Sequence, residues 1–286
     1  MKKAFLVVGF GVVLLLLTLF FLINRTPSLS ANHGSVNTKL FLGDSLRQPL
    51  VVAFGGGEGG NDWERHYLKA QRDEFLARGF AVLAIGYFNT ENSPNSLDRI
   101  SLNALSDTIL SIARRHPQLD TARIILMGAS KGGELVLNLA SRFQHFRGVV
   151  ALSTSHVSFP ALTISANTSS WQYNDLEVPY VPAPFSTIWP ALKGDLFGAF
   201  SLMLEDEKAV KQAEINVERI NGPILILSGK EDDQWPATAM SDRIIARLTQ
   251  NNFPHSYRHL AFEGGHIEPL NHFDAVFDFL EKEFKK

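Results

Sequence analysis

Residues 123–143 read "RIILMGASKGGELVLNLASRF" and contain the most informative pattern in the chain. Residues 123–130 form an apolar run typical of a buried strand, and residues 132–143 place apolar side chains at helical spacing. Where the strand pattern gives way to the helix pattern, residues 128–132 form a G-x-S-x-G motif. Glycines on both sides of the serine let the backbone turn sharply and expose the hydroxyl. The motif therefore predicts that Ser130 is a nucleophile held out of a strained turn.

The chain on both sides of this stretch alternates between strand and helix patterns. Further apolar runs typical of buried strands cover 49–56, 80–88, 148–153, 223–232 and 256–262. Apolar residues at helical spacing mark 62–79, 96–116, 236–250 and 272–284. This alternation predicts an α/β fold with a mostly parallel sheet covered by helices on both faces. Such sheets bind their ligands at the carboxyl ends of the strands.

Two later loops supply the groups that a serine nucleophile requires. A base must accept the hydroxyl proton, and a third group must orient that base. Asp232 lies where the strand 223–232 ends, and His266 lies in a glycine-rich loop after the last strand. The chain order Ser130, Asp232, His266 is that of an α/β-hydrolase triad. Asp233 is the alternative acid, and either aspartate could instead cap the following helix.

The other histidines fit the role of base less well. Among the nine histidines, His266 alone combines a position late in the chain, after a strand, with flanking glycines. His66 and His156 lie near predicted strand ends and are candidates to line a pocket. His259 is expected to be packed or solvent-facing within a strand, and the remaining five are expected at the surface.

A glycine-rich loop after the first predicted strand, "GGGEGG" at residues 55–60, predicts an oxyanion hole. It is similar to the HGGG type of oxyanion loop without the histidine. The candidate donors are the backbone N–H groups of Gly56 or Gly57 and of Lys131, whose side chain is expected in solvent. A phosphate-binding loop is the alternative, but the loop lacks the G-x-x-x-x-G-K-[ST] pattern, and Glu58 would repel phosphate.

Composition excludes several other classes of function. The chain has 286 residues, is 45% hydrophobic and carries a formal net charge of −2, so it has no broad basic field for nucleic acid. It contains no cysteine, which excludes a thiol nucleophile and thiolate metal sites. No H-E-x-x-H motif or spaced histidine–carboxylate cluster is present, so neither a metal nor another cofactor is expected.

The N-terminus predicts a membrane segment. Residues 4–23 carry no charge and are long enough to cross a bilayer as a helix. Lys2 and Lys3 place the amino end in the cytoplasm by the positive-inside tendency. Cleavage after Ser30 would instead make the segment a secretory signal. Both interpretations place the rest of the protein outside the cytoplasmic membrane. An uncleaved segment would anchor it, and a cleaved signal would make it a secreted protein.

The sequence is therefore divided into an anchor or signal at 1–30, a tether at 31–47 and a hydrolase domain at 48–286. An insertion at about 154–222 interrupts the strand–helix rhythm and is expected to form a cap over the active site. Its aromatic residues are Trp171, Tyr173, Tyr180, Phe185, Trp189, Phe197 and Phe200. They could line a channel for an acyl chain or form the cap's own core, and the sequence leaves both open.

Four segments together resemble a known family. They are "GFAVLAIGYFN", "GASKGGELVLNLAS", "GKEDDQW" and "GGHIEP". They are similar to the C-terminal catalytic domain of type I acyl-CoA thioesterases and bile-acid-CoA:amino-acid N-acyltransferases, over about 48–285. The resemblance implies an α/β-hydrolase fold with Ser130 as nucleophile, Asp232 as acid and His266 as base. The transferase branch is known for a cysteine nucleophile, so a serine favours hydrolysis.

The resemblance predicts a serine hydrolase that cleaves acyl thioesters through an acyl-enzyme, with a small-molecule acyl thioester or ester as substrate. Family members usually carry an additional N-terminal β-sandwich domain and act where coenzyme A is found, whereas this sequence is expected to export its catalytic domain. An extracytoplasmic carboxylesterase or peptidase of the same fold is the main alternative. An acyltransferase and a non-catalytic, membrane-tethered binding protein are further alternatives.

Overall fold

A computed structural model describes residues 11, 13–15, 17–18, 20–22 and 24–285. Its central sheet has seven strands in the spatial order β1, β3, β2, β5, β6, β9, β10. These are β1 (Asn37–Phe41), β2 (Gln48–Phe54), β3 (Ala81–Gly86), β5 (Leu119–Ala129), β6 (Phe146–Leu152), β9 (Ile224–Gly229) and β10 (Tyr257–Phe262). β1 pairs antiparallel with β3, and all other neighbours pair in parallel. A second, small sheet contains β4 (Ile100–Ser101), β7 (Trp171–Tyr173) and β8 (Leu176–Glu177).

Helices cover both faces of the central sheet. α1 (Lys69–Ala77) and α8 (Phe273–Phe284) lie on one face, and α2 (Leu102–Arg115), α3 (Lys131–Ala140) and α7 (Ala237–Gln250) lie on the other. Three further helices, α4 (Ile188–Leu192), α5 (Leu196–Met203) and α6 (Glu207–Ala213), lie between β8 and β9 in the chain. Alternate residues of β2 pack against different helices because successive strand side chains point to opposite faces. Leu50 and Val52 belong to the core with α2, α3 and α7, whereas Val51 and Ala53 belong to the core with α1 and α8. The predicted mostly parallel sheet with helices on both faces is confirmed.

Two predicted helices begin later than their apolar spacing indicates. The first part of the segment 62–79 forms two 3-10 turns, Asp62–Glu64 and His66–Leu68, before α1 begins. The segment 96–116 becomes helical only at α2, where the Ser101 hydroxyl accepts a hydrogen bond from the third residue of the helix. The early turns matter because they form one wall of the active-site cavity described below.

The N-terminal anchor predicted for residues 4–23 falls partly outside the described residues, which omit 1–10, 12, 16, 19 and 23. In the part of the chain that the structure describes, no helix combines the length and the apolar character needed to cross a bilayer. The predicted transmembrane helix, and the membrane contact expected from it, are therefore not supported by the structure.

The edge strand β1 is a feature that the sequence analysis does not predict. It lies within residues 31–47, which the sequence assigns to a tether, and it pairs along its whole length with β3. N-terminal to β1, the Pro27 carbonyl accepts a hydrogen bond of 2.6 Å from the Arg99 guanidinium. This hydrogen bond attaches the preceding segment to the domain. The side chains of β1 are only partly buried, so its sequence lacks the continuous apolar run of a central strand.

The predicted cap segment, residues 154–222, contains the strands β7 and β8 and the short helices α4, α5 and α6. Phe159 and Phe200 pack with Trp235 of the main domain, with ring centroids 4.7–5.6 Å apart. Trp171 is fully buried. Three aromatic side chains are exposed to solvent instead, namely Phe185, Trp189 and Phe197.

A buried carboxylate joins this segment to the first turn of α3. Glu134 Oε2 accepts a hydrogen bond from Lys131 Nζ at 2.7 Å, and Oε1 accepts from Trp171 Nε1 at 2.6 Å and from the Phe159 N–H at 3.1 Å. Burial raises the pKa of Glu134 and lowers the pKa of Lys131, while the ion pair between them opposes both shifts. The expectation that the Lys131 side chain is solvated is wrong, because Glu134 supplies a counter-charge inside the protein.

His156 follows β6 and is a second buried titratable group. Neither of its ring nitrogens has a hydrogen-bond partner within the described residues. Burial, and then the charge of Arg243, lowers the pKa of His156 to about 3. The imidazole is therefore neutral in the folded protein at pH 7.

We expect Glu134→Gln to destabilise the fold strongly. The substitution keeps the shape of the side chain but leaves the Lys131 ammonium buried without a counter-charge, so the free energy of unfolding should fall by about 3 kcal/mol. Urea denaturation measures this difference. Glu263→Gln, in the exposed ion pair with Lys230, is the matched control and should change the free energy of unfolding by less than about 1 kcal/mol. Equal small losses in both variants would contradict the buried ion pair.

We also expect His156 to make the stability of the fold depend on pH. Below a pH of about 6.5 the unfolded chain binds a proton at this imidazole, whereas the folded chain does not bind it until the pH approaches about 3. The free energy of unfolding should therefore fall between pH 7 and pH 5 by about 2 kcal/mol more in the wild type than in His156→Gln. Urea denaturation at the two pH values tests this. Parallel losses in the two proteins would exclude the buried imidazole as the cause.

Candidate active site

Ser130 occupies a strained turn between β5 and α3. Its backbone has φ 55° and ψ −121°, a conformation that residues with a side chain rarely adopt. Two hydrogen bonds hold it there: the Ser130 N–H donates to the Leu152 carbonyl at 2.8 Å, and the Ser130 carbonyl accepts from the Glu134 N–H at 3.1 Å. The strained conformation of Ser130 is thus stabilised by hydrogen bonds to the neighbouring strand β6 and to the following helix α3.

Gly128 and Gly132 are required because the backbones around the turn pack too closely for a side chain, and not because the turn needs backbone flexibility. A Cβ on Gly128 would lie 2.2 Å from the Gly132 carbonyl oxygen, and a Cβ on Gly132 would lie 2.3 Å from the Gly55 carbonyl oxygen. Both distances are far below a van der Waals contact, so any side chain would force the turn open. Neither glycine has a positive φ, which means that the sequence-based explanation from backbone freedom is incomplete.

The predicted acid and base are in direct contact. His266 Nδ1 lies 2.8 Å from Asp232 Oδ2 and 3.0 Å from Oδ1. Asp232 is buried, and its Oδ1 also accepts hydrogen bonds from the N–H groups of Gln234 and Trp235. With Nδ1 facing the carboxylate, Nε2 is the ring nitrogen that remains for proton transfer. The alternative acid, Asp233, does not make this contact.

Ser153, which the sequence analysis does not identify, fixes the loop that carries His266. Its hydroxyl donates a hydrogen bond of 2.6 Å to the His266 carbonyl, and its own carbonyl accepts from Trp235 Nε1 at 3.0 Å. Ser153 directly follows β6 and has φ 43°, so it is a second strained residue near Ser130. A strand residue followed by a loop serine is too common a pattern to have predicted this role.

Ser130 and His266 line the same cavity, which has a volume of about 230 Å³. Gly55 and Gly56 line it as well. In the described part of the chain, the His266 ring makes hydrogen bonds to Asp232 and none to the Ser130 hydroxyl. Such catalytic hydrogen bonds are often long or poorly aligned before substrate binds. The structure therefore brings the three residues together, with Asp232 and His266 hydrogen-bonded.

The predicted oxyanion residues differ in position. Gly56 faces the nucleophile, since a Cβ built on it would lie 3.5 Å from the Cβ of Ser130. Gly57 does not line the cavity, and its added Cβ would contact the side chains of Leu162 and Lys131. Lys131 is the first residue of α3, where N–H groups have no partner within the helix. Gly56 and Lys131 are therefore better placed as donors than Gly57.

The walls of the cavity come from two short segments of the main domain. One contains the 3-10 turns at 62–68, with Trp63, Tyr67 and Leu68, and the other is the segment that follows His266. Asp62 also belongs to the first segment, and Ile267, Pro269 and Leu270 are the lining residues of the second. The cavity is further lined by Phe54, Glu58, Met127, Leu152 and Ser153. Burial and the hydrogen bond to Asp62 raise the pKa of Tyr67 to about 12, so its hydroxyl is neutral at pH 7.

Several candidates from the sequence do not line this cavity. None of the seven aromatic residues named for the segment 154–222 is among its lining residues, so an acyl channel formed by that segment is not what the structure shows. His66 and His156, considered as pocket residues, do not line it either. Among the described residues, no group of three or more histidine or carboxylate side chains is placed to hold a metal ion.

A second serine, histidine and aspartate are hydrogen-bonded in the same domain. Ser228 Oγ lies 2.7 Å from His259 Nε2, and His259 Nδ1 lies 2.9 Å from Asp242 Oδ1. Ser228, however, is fully buried within β9 and also contacts Thr238 Oγ1 at 2.8 Å. Ser228 does not have a positive φ, and none of the three residues lines the cavity that contains Ser130. The residue types and contacts of this trio alone do not make it a catalytic site.

Comparison with solved structures identifies the fold. The acylaminoacyl peptidase of Pyrococcus horikoshii superposes with a TM-score of 0.61 at 16% identity, over 88% of this chain and 40% of that one. A puromycin-hydrolyzing peptidase of Mycobacterium tuberculosis superposes with a TM-score of 0.60 at 16% identity, over 87% and 37%. These similarities confirm the predicted α/β-hydrolase fold.

Comparison of sequences identifies the family. Acyl-coenzyme A thioesterase 2, mitochondrial, of Mus musculus is 28% identical over 230 residues, which are 79% of this chain and 46% of that protein. Acyl-coenzyme A thioesterase 1 of Homo sapiens is 27% identical over 204 residues, 70% of this chain and 44% of that protein. The chain thus spans about half the length of these relatives. The family described as BAAT / Acyl-CoA thioester hydrolase C terminal matches residues 108–270, more than half of the chain. The protein therefore belongs to the family of BAAT and acyl-CoA thioester hydrolase C-terminal domains.

Proposed function

We propose that this protein is a serine hydrolase that cleaves acyl thioesters through a covalent acyl-enzyme at Ser130. The observation that carries the proposal is the arrangement at one cavity, where the strained Ser130 and the His266 ring both line the wall and Asp232 is hydrogen-bonded to His266. This combination of strained nucleophile, oriented base and buried acid is the one that acyl transfer requires.

In the proposed mechanism, His266 Nε2 accepts the proton of the Ser130 hydroxyl while Oγ attacks the acyl carbonyl carbon. The Asp232 carboxylate, hydrogen-bonded to Nδ1, stabilises the imidazolium that forms. Collapse of the tetrahedral intermediate breaks the carbon–sulfur bond and leaves the acyl group on Ser130. The His266 imidazolium gives its proton to the departing sulfur, so that a thiol is released and the imidazole is again neutral. Water then gives a proton to His266 and attacks the acyl carbonyl carbon. The acyl–oxygen bond to Ser130 breaks, His266 returns the proton to Oγ, and the carboxylic acid is released from the restored serine.

Two backbone N–H groups are proposed to stabilise the tetrahedral oxyanion. One is that of Lys131, at the N-terminus of α3, where the helix dipole also favours negative charge. The other is that of Gly56, which lines the cavity beside Ser130. Donors placed for the oxyanion rather than for the ground-state carbonyl commonly supply a large share of the rate acceleration.

The thioester part of the proposal is supported by the family and by the relatives named acyl-coenzyme A thioesterases. A thiolate is a good leaving group because the pKa of a free thiol is about 8.5, so its departure needs little acid catalysis. The cavity volume of about 230 Å³ is small for a drug-sized ligand, which favours a short or partly inserted acyl group.

A carboxylesterase is the second candidate, and two cavity residues favour it. Glu58 and Asp62 both line the cavity, where their charges oppose the phosphates of a coenzyme A ester. A neutral oxyester would not meet this repulsion. The solved structures of similar fold include an acetyl xylan esterase from a Thermoanaerobacterium species, with a TM-score of 0.52 at 18% identity.

The site of action is proposed to lie outside the cytoplasmic membrane. The support for this is the sequence alone, in which Lys2 and Lys3 precede the uncharged run at 4–23. Labelling of intact spheroplasts with an impermeant active-site probe, with and without external protease, would report the side on which the domain lies.

We expect a fluorophosphonate probe to label the wild-type protein and to require Ser130. Ser130→Ala should reduce the labelling rate by about 10³-fold or more, because it removes the nucleophile. Ser228→Ala is the matched control, since it removes a serine that is also hydrogen-bonded to a histidine–aspartate pair. It should leave labelling within about threefold of the wild type, because Ser228 is fully buried and does not line the cavity. Loss of labelling in both variants, or in neither, would contradict the assignment of Ser130.

We expect the substrate preference to follow the leaving group. An acyl-coenzyme A, the N-acetylcysteamine thioester of the same acyl group and the matched oxyester should be compared by kcat/KM. At least one thioester should exceed the oxyester by about tenfold, which corresponds to about 1.4 kcal/mol of transition-state stabilisation. Fast oxyester turnover with negligible turnover of both thioesters would reject the thioesterase and favour the carboxylesterase.

A further inference from the structure

The loop that carries Gly56 is held from behind by a tyrosine that the sequence analysis does not single out. Tyr87 follows β3, and its side chain is fully buried. Its hydroxyl lies 3.1 Å from the Gly55 carbonyl oxygen and 3.0 Å from the Gly56 carbonyl oxygen. A tyrosine hydroxyl carries a single proton, so it is shared between the two acceptors. Two successive carbonyls of the loop are therefore directed toward Tyr87.

The direction of these carbonyls fixes the direction of the next N–H groups. A trans peptide is planar, and its N–H points opposite to its C=O. With the carbonyls of Gly55 and Gly56 directed toward Tyr87, the N–H groups of Gly56 and Gly57 are directed away from it. Gly55 and Gly56 line the cavity that contains Ser130, whereas Tyr87 does not line it. The Gly56 N–H is thus directed to the cavity side of the loop.

The packing around Gly55 gives the same orientation independently. A Cβ on Gly132 would lie 2.3 Å from the Gly55 carbonyl oxygen, so this oxygen faces the first turn of α3. Gly132 does not line the cavity. The carbonyl therefore faces the interior of the domain, and the opposite edge of the same peptide faces the cavity.

Tyr87 is itself held firmly. Its ring packs edge-on against Phe54 and in a tilted contact against Trp171, with centroids 6.0 Å away in both cases, and against Phe88 at 5.1 Å. Burial raises the pKa of Tyr87 well above its usual value, so the hydroxyl keeps its proton and remains a donor. The Tyr87 hydroxyl is consequently held in one position and stays protonated as a hydrogen-bond donor.

We propose that Tyr87 is a positioning residue that sets the oxyanion hole, by holding the Gly55 and Gly56 carbonyls so that the Gly56 N–H is directed at the reacting oxygen. This inference rests on the proposed function. A glycine peptide has no Cβ to restrict its rotation, so without the hydroxyl the Gly55–Gly56 peptide loses a hydrogen-bond restraint and turns over more readily. A turned peptide would present a carbonyl oxygen to the oxyanion, which repels the negative charge instead of stabilising it.

Tyr87→Phe tests the proposal because it removes only the hydroxyl. The loss of one oxyanion donor costs about 10²–10³ in kcat, so we expect partial loss of its orientation to reduce kcat by about 10- to 100-fold. KM and the affinity for an uncleavable thioether analogue should stay within about threefold, because neither depends on the oxyanion. The affinity for a boronic acid, which forms a tetrahedral adduct with the serine, should fall in proportion to kcat.

Two further variants separate positioning from general damage to the fold. Tyr257→Phe is the control, since it removes a tyrosine hydroxyl that is also hydrogen-bonded, at 3.0 Å from Thr249 Oγ1, and that does not line the cavity. It should leave kcat and boronic acid affinity unchanged. Tyr87→4-aminophenylalanine restores an N–H donor at the same place and should recover most of the lost kcat.

A kcat for Tyr87→Phe within about twofold of the wild type, or a reduced kcat with unchanged boronic acid affinity, would overturn the proposal. Failure of the wild type to turn over any thioester or ester would refute the proposed function instead. The orientation of the loop can still be decided in that case by a crystal structure of Tyr87→Phe. A turned Gly55–Gly56 peptide supports the proposal, and an unchanged peptide overturns it.

Discussion

The site depends on a contact between backbones that leaves no room for side chains. The turn at Ser130 closes so tightly that Gly128 meets the Gly132 carbonyl, and Gly132 in turn meets the Gly55 carbonyl. Added Cβ atoms would lie 2.2 and 2.3 Å from these oxygens, so the elbow and the loop after β2 keep their relative positions only with glycine at both places. The strained serine and the loop that borders its cavity are set by this contact.

Trp171 contacts two buried polar residues, Glu134 and Tyr87, which lie next to this backbone contact. Its indole N–H donates to Glu134 in the helix that follows the nucleophile, and its ring packs against Tyr87 behind the glycine loop. Trp171, from the segment 154–222, therefore contacts both Glu134, in the helix that follows the nucleophile, and Tyr87, which holds the glycine loop. The segment contributes to the site through these contacts, since it does not line the cavity.

The sequence predicts those parts of the fold and site that are encoded locally. The buried strands are continuous apolar runs, and Ser130, Asp232 and His266 each follow one of them, so their convergence at one sheet edge can be inferred from strand order. Contacts across long stretches of chain could not be inferred. Glu134 accepts a hydrogen bond from Trp171, 37 residues away in the sequence, and its neighbouring residues do not distinguish it from a glutamate on the solvent side of a helix. The edge strand β1 was also hidden, because its half-buried side chains resemble those of a linker.

The cavity walls have a consequence for how this fold acquires new substrates. They come from the turns at 62–68 and from the segment that follows His266, both of which belong to the main domain. Changes in length or composition at the solvent face of α4 and α5 would leave the shape of the acyl site intact. Selection for a longer or bulkier acyl group would therefore act on Leu68, Ile267 and Leu270, and directed evolution should randomise these positions first.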